Sequence, residues 1–305
     1  MSNKTVYIPV TLAALAFITA SAFVFFSRSS GDIGLQSRGV HRPLFWEESM
    51  FYDAVLNAAS AQPLDGIVRG GIIPHHLLAS DIIAEFFQRL SIQQIKRIVL
   101  IGPNHNELGR SDIISSFYDW DTPVGVVRTD IDFINTLQKK RRYVAVDEVV
   151  AENEHSVAGI MPFIAHYFPS AKVVPIIIST KLEPSQLDDF AGLLGQLGGD
   201  ETLFVAAVDF SHYLTSREAE QRDATTLALL RSGNLDSFLT LNNEYTDSPK
   251  SVALLFKIMR DFSLTKFDVL RNENSGGKAN SKFSEVTSYF SVVFKEEWAL
   301  PGHNL

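Results

Sequence analysis

The chain contains no cysteine. That single absence excludes disulfides, thiolate nucleophiles and cysteine-based metal sites, so any metal must be held by nitrogen and oxygen ligands. It leaves the compartment open, because a chain without thiols persists in oxidising and reducing surroundings alike. Basic runs are scarce too. Apart from Lys139, Lys140, Arg141 and Arg142 there is none, and the net charge is −8, so nucleic acid is excluded as a partner class. That one run reads as the solvated C-terminal end of a helix, where cations are favoured. No phosphate-cradling glycine loop, no G-x-S-x-G elbow and no H-E-x-x-H pair occurs, which removes the usual signatures of nucleotide binding, serine hydrolysis and zincin chemistry.

What remains is ordinary globular composition, 46% hydrophobic and 20% charged over 305 residues. Residues 6–26 carry no charge and come close to the ~20 apolar residues that span a bilayer. Lys4 and Arg28 flank them. Residues 1–28 therefore read as an N-terminal transmembrane anchor. The small residues Ala20-Ser21-Ala22 offer a cleavable signal segment as the alternative, and Phe23 to Phe26 continue the apolar run past that point. The expectation is a membrane-anchored protein with its domain on the extracytoplasmic side. Residues 29–63 follow as a linker and lead-in helix, polar and aperiodic at first, with His41 incidental. Residues 64–297 make the domain, about 230 residues and ample for one sizeable core.

Within the domain, β-rich runs and amphipathic segments alternate. Strands are expected near residues 67–73, 98–101, 111–116, 122–127, 172–179, 202–208, 267–272 and 286–294, with 144–150 as a connecting strand or turn. Helices are expected over 77–90, 130–140, 157–164, 183–198, 217–232, 234–241 and 251–262. Such alternation predicts an α/β fold, a single α/β/α layered domain around a central mixed sheet.

The chemistry gathers at strand ends. Ile98 to Ile101 run into Gly102-Pro103-Asn104-His105; Gly70 to Ile73 run into Pro74-His75-His76; Leu203 to Val208 run into Asp209-Phe210-Ser211-His212. Loops at the carboxyl edge of an α/β sheet ring the crevice where ligands bind. Imidazoles collected there suit a divalent metal or a proton shuttle. Glu154 precedes a helix, where a carboxylate offsets the positive N-terminal dipole, and His155 beside it could face the crevice as a donor to substrate. Residues 242–249 form an acidic loop holding Glu244 and Asp247.

Six motifs taken together, Ile73-Pro74-His75, Gly102-Pro103-Asn104-His105, Thr122-Pro123-Val124-Gly125, Glu154-His155-Ser156, Pro162-Phe163 and Asp209-Phe210-Ser211-His212, resemble in order and spacing the Memo family. Its bacterial members are called AmmeMemoRadiSam system protein B, and the family is similar to the catalytic subunit of class III extradiol ring-cleaving dioxygenases. The likeness spans residues 64–294. It implies a metal held by His75 and His105, His212 in the general acid/base position with Asp209 orienting it, and His155 completing the crevice. The remaining ligand is a Cys or Glu in those relatives, and here the alignment brings Asp247 to that place. Two His and one carboxylate with open positions form the facial set of non-haem iron(II) oxygenases, so iron(II) is the implied cofactor, with copper and zinc as alternatives. Radical-SAM and AMMECR1-like partners are implied by the same likeness. The sequence departs from the family at Pro74-His75-His76-Leu77-Leu78, where PHAGY is usual, at Asn106, where a second His is usual, and at Ala158, where a Glu is usual.

Three functions follow from these residues. The first is a Memo-like metal-binding protein with a His-rich non-haem site and redox activity, using dioxygenase-like oxidoreductase chemistry as its template. The second is a non-catalytic membrane-anchored protein that binds a small molecule or a peptide. The third is a zinc hydrolase.

Overall fold

The computed structural model describes residues 39–278 and 285–296. Strand β3 (Arg97–Pro103) shows why the chain folds as it does. Ile98 and Leu100 enter one core cluster with Phe51, Phe86, Phe87 and Phe163, whereas Val99 and Ile101 enter a second with Phe190, Leu194, Leu255 and Ile258. A strand apolar on both faces must be covered on both, which is the condition of a buried parallel strand. Helices α1 (Glu48–Ala58), α2 (Ser80–Arg89) and α6 (Met161–Tyr167) supply the first cover. Helices α7 (Pro184–Leu197) and α10 (Pro249–Asp261) supply the second.

The sheet is mixed. Its parallel centre runs β2 (Ile67–Ile73), β9 (Thr202–Ala207), β3, β8 (Lys172–Ile178). On one side β11 (Ser288–Glu296) and β10 (Asp268–Asn274) continue it antiparallel. On the other, β6 (Gly125–Thr129) lies parallel to β8, and β5 (Asp119–Thr122) and β1 (Val40–His41) complete the edge. Strands β4 (Ile113–Ser115) and β7 (Val144–Val146) branch from β8. Because β2, β9 and β3 are parallel neighbours, their carboxyl ends share one edge. His75, Asp209 and His105 each follow such an end by two residues.

Several local expectations change. The strand expected over 122–127 is a hairpin, with Thr122 donating to the carbonyl of Gly125 at 2.6 Å. Gly125 sits at φ 145°, a conformation that suits glycine, so the chain reverses there. The single helix expected over 157–164 is two, α5 (His155–Ala158) and α6, since Pro162 fits only the first turn of a helix. The turn region after β7 holds a helix, α4 (Glu148–Asn153). His41, expected to be incidental, is buried in β1, where its Nε2 lies 2.7 Å from Ser116 Oγ and 3.1 Å from Glu148. Arg42 beside it pairs with Glu152.

The membrane expectation is corrected. Among the described residues no helix is long and apolar enough to cross a bilayer. The membrane-anchored, extracytoplasmic placement is withdrawn on that finding, and the anchor expected over residues 1–28 lies outside the described residues.

One glycine sets the spacing between sheet and site. A Cβ on Gly102 would lie 2.4 Å from Ser156 Oγ, so glycine lets α5 close onto the end of β3. Gly102→Ala is expected to lower stability by about 1–3 kcal/mol through overpacking, read by urea denaturation; an unchanged midpoint would show that the helix yields freely.

Candidate metal centre

The site starts from two imidazoles held alike. His75 is buried at the end of β2, and its Nδ1 lies 3.0 Å from the carbonyl of Ala207. A carbonyl only accepts, so Nδ1 carries the proton and Nε2 faces inward. His105 Nδ1 meets Glu154 Oε1 at 2.8 Å, which fixes the same tautomer. Both Nε2 atoms then approach one oxygen, Asp247 Oδ2, at 3.2 Å from His75 and 3.5 Å from His105. Partners on the outer nitrogen that orient a ring in this way are a recurring property of metal-ligating histidines.

Sequence explains each placement. Asp247 ends the acidic loop one residue ahead of Ser248, which caps α10, and its backbone N–H donates to the carbonyl of Asp209 at 3.1 Å. The loop is thereby tied to the end of β9. Glu154 is the N-cap of α5, accepting from the backbone N–H of Ser156 at 3.0 Å. It also accepts from the backbone N–H of His105 at 2.9 Å, so the helix cap and the imidazole anchor are one carboxylate. His155, the first residue of α5, stacks on His105 with ring centroids 4.2 Å apart and meets His75 edge-on at 5.0 Å.

The electrostatics follow from burying acids beside imidazoles. Burial opposes charge on His75, but the carboxylates of Asp209 and Asp247 override it and raise the imidazole to about 10. Burial likewise opposes charge on His105, and the hydrogen bonds with Asp247 and Glu154 raise it to about 9. Burial would favour neutral acids at Glu154 and Asp247. The hydrogen bond with His105 instead brings Glu154 down to about 2, and the charge of His75 holds Asp247 well below the carboxylate range. His155 goes the opposite way: burial, then the charges of His75 and His105, lower it to about 4. Two imidazolium protons thus sit where a cation would sit, shared with Asp247.

The residues fit a metal. Ligand atoms of His75, His105 and His155 lie within 4.8 Å of one another, as do those of His75, Asp209 and Asp247. Asp247 has a side chain 7% exposed, and its Oδ1 is buried without a hydrogen-bond partner among the described residues. His75, His105, His155, Asp209 and Asp247 are therefore together. Asp209 turns its carboxylate to His75, accepting from its backbone N–H at 3.1 Å. His212 is in neither of these groups; its backbone N–H donates to the carbonyl of Asn243, and its Nδ1 is buried without a partner among the described residues. Glu244, its neighbour in the acidic loop, turns away to pair with Arg222.

Two features escaped the sequence reading. His76 Nδ1 lies 2.8 Å from the hydroxyl of buried Tyr289 in β11, and Phe45 packs against His155 with centroids 5.8 Å apart. The doubled His75-His76 gave a signal for the first. A strand-end pair points one ring inward and the next outward, and the outward ring finds the neighbouring strand.

Comparison with known proteins places this arrangement. A model of the Memo-like protein family matches residues 52–293. A MEMO1 family protein of Aquifex aeolicus is 27% identical over 230 residues, covering 73% of this chain and 84% of that protein. One of Thermoplasma volcanium is 28% identical over 240 residues, covering 77% and 86%. The crystal structure of an uncharacterised Escherichia coli K12 protein superposes with a TM-score of 0.53 at 12% identity, over 74% of this chain and 99% of that one, a likeness of fold. The family match begins inside α1 and ends within β11, so it takes in every residue of the cluster, and the chain belongs to the Memo-like family.

Proposed function

We propose that this protein binds a divalent metal through His75, His105 and Asp247 and uses it in redox chemistry on a small molecule, as the Memo and AmmeMemoRadiSam protein B likeness implies. The observation that carries the reading is the convergence of two tautomer-fixed Nε2 atoms on one buried carboxylate oxygen. Two nitrogens and one carboxylate oxygen with open positions match iron(II) first, with copper or zinc as competitors. A metal there would supply Lewis acidity and, if iron or copper, a path for electrons from a bound reduced substrate to an oxidant such as O₂.

The chain's own groups do the rest. Glu154 and the Ala207 carbonyl keep the two rings turned inward, so both Nε2 atoms point at the site before any ligand arrives. His155 is neutral at pH 7, because its value is lowered to about 4, and its side chain is 41% exposed. It can accept a hydrogen bond from a substrate hydroxyl in the crevice. His212, which the Memo likeness puts in the general acid/base position, is the second group proposed to act on the substrate, with its Nδ1 unpartnered among the described residues. Asp209 acts through His75, which it holds by the backbone, as a positioning residue.

A second reading has one observation in its favour. The three imidazoles of His75, His105 and His155 are close enough to share an ion, and three His ligands plus an open position suit hydrolytic zinc.

Two outcomes test these readings. Metal content of anaerobically purified protein should approach one iron per chain and be lost in His75→Ala and His105→Ala. Asp247→Asn should lose it as well while His155→Ala keeps it; the reverse pattern, with zinc bound, supports the three-histidine site. Glu154→Gln preserves the cap oxygen and removes the charge behind His105, so affinity should fall about 10–100-fold.

The pH dependence has a definite sign. His75 and His105 are raised above the unfolded value near 6.5, so their stabilisation is complete below that pH and is lost as pH rises through about 9 and 10. Glu154 and Asp247 are depressed, so theirs is present above the ordinary carboxylate range and lost towards about pH 2. His155, depressed to about 4, contributes stability above 6.5 that is lost as pH falls through 4. Metal-free protein should therefore melt at progressively lower temperature from pH 6.5 to 10. Bound metal, which replaces the two protons, should flatten that limb and release protons on binding, measurable by calorimetry in buffers of different ionisation enthalpy.

A further inference from the structure

His212 is placed differently from the metal-side histidines. His75 and His105 each have an outer nitrogen tied to a fixed acceptor, whereas His212 Nδ1 is buried without a partner among the described residues. No hydrogen bond there orients the ring, so packing and the backbone that carries it must place it. That backbone is under strain. The next residue, Tyr213, sits at φ 61°, a left-handed conformation that a bulky aromatic residue adopts only at a cost. Such a conformation persists where its surroundings over-determine it.

Those surroundings centre on Asp223, a buried acid of α8 (Ser216–Ser232) with no part in the chemistry above. Its Oδ1 accepts from the hydroxyls of Ser211 and Ser288, each at 2.7 Å, and its Oδ2 accepts from the side-chain amide of Asn272 at 2.9 Å. All three donors are neutral. Burial pushes the Asp223 carboxyl above its ordinary range, and the three hydrogen bonds oppose that rise. Ser288 also holds the same loop by its backbone, donating to the carbonyl of Ser211 at 2.9 Å and accepting from the N–H of Phe210 at 2.9 Å. Past the strained residue, the carbonyl of Leu214 accepts from the N–H of Val286 at 2.8 Å. One carboxylate thus joins α8, β10 and β11 to the residue directly before His212.

We propose that Asp223 is the positioning residue of His212: by holding the Ser211 hydroxyl it fixes the backbone on either side of the imidazole, and with it the direction in which the ring points. No hydrogen bond at Nδ1 would keep that direction if the backbone relaxed. The functional weight of the inference rests on the reading above that gives His212 a part in substrate chemistry, where a small misplacement of a reacting group is costly. The positioning itself does not require the metal.

Ring NMR signals of isotope-labelled histidine, recorded on the full-length metal-free protein, test the inference beside melting temperatures. Ser211→Ala removes the one hydroxyl through which Asp223 holds this loop. Ser288→Ala removes an equally short hydrogen bond from the same oxygen and leaves Asp223 on Ser211, so it serves as the control. Both variants should melt earlier by similar amounts. Only Ser211→Ala, together with Asp223→Ala, should broaden the His212 ring signals or split them into two sets, while the ring signals of His105 stay in place. Should Asp223→Ala fail to fold, Ser211→Ala decides alone. A lower melting temperature with the His212 signals unmoved in Ser211→Ala would reduce Asp223 to a support of the fold and overturn the proposal. Equal disturbance of His212 by Ser288→Ala would overturn it as well, because general loosening would then be the cause. Iron content separates this result from the metal reading. Wild-type protein that takes up no iron, with His212 disturbed in Ser211→Ala, would sink the metal reading and leave the positioning role standing.

Discussion

Everything near this site answers to one constraint: a carboxylate, Asp247, is buried where water cannot neutralise it. Some positive charge must come to its Oδ2. In the metal-free protein that charge is the pair of protons on His75 and His105, which is why both imidazoles stay charged far above their ordinary range. A buried ion pair recovers its desolvation cost only when every remaining lone pair and proton is satisfied. The outer nitrogens find partners in the Ala207 carbonyl and Glu154, while Asp247 Oδ1 has none among the described residues. On the metal reading proposed above, one divalent cation would replace that pairing, since it carries the charge of two protons.

The sheet makes this affordable in geometry. Three parallel strands deliver His75, Asp209 and His105 to one edge without any strained backbone at those residues, as none of them has a positive φ. The helix α5 then contributes Glu154 through its cap, so the helix dipole and the imidazole of His105 are both served by one carboxylate. Gly102 permits the approach. Stability and site geometry are set by the same few contacts.

Much of this was legible in the chain. The strands carrying His75, His105 and Asp209 stand where their β-rich runs are, because residues buried on two faces leave an unbroken apolar signal. That Asp247 would meet both histidines was visible only by likeness to relatives, since a loop acid 38 residues beyond Asp209 has no periodicity to announce it. Glu154 read as a cap, which it is, and its hold on His105 was hidden because a cap and an anchor have the same residue type. The hairpin at Thr122–Gly125 and the break before Pro162 are written in the sequence: Gly125 and Pro162 each forbid the continuous element that the apolar pattern suggests. His41 could not have been read as buried, because two residues of edge strand give no pattern at all.

The attachment of that edge strand has a mechanical side. His41 contacts Glu148 at one end of α4, and Arg42 pairs with Glu152 near the other. The residue that follows this helix is Glu154, whose carboxylate grips His105. Six residues of helix span about 9 Å, stiff over that length. Strand β1 and the ring of His105 are thus the two ends of a short lever, with α4 as its arm. The placement of the imidazole and the attachment of the outermost strand thus share one short helix as their common support.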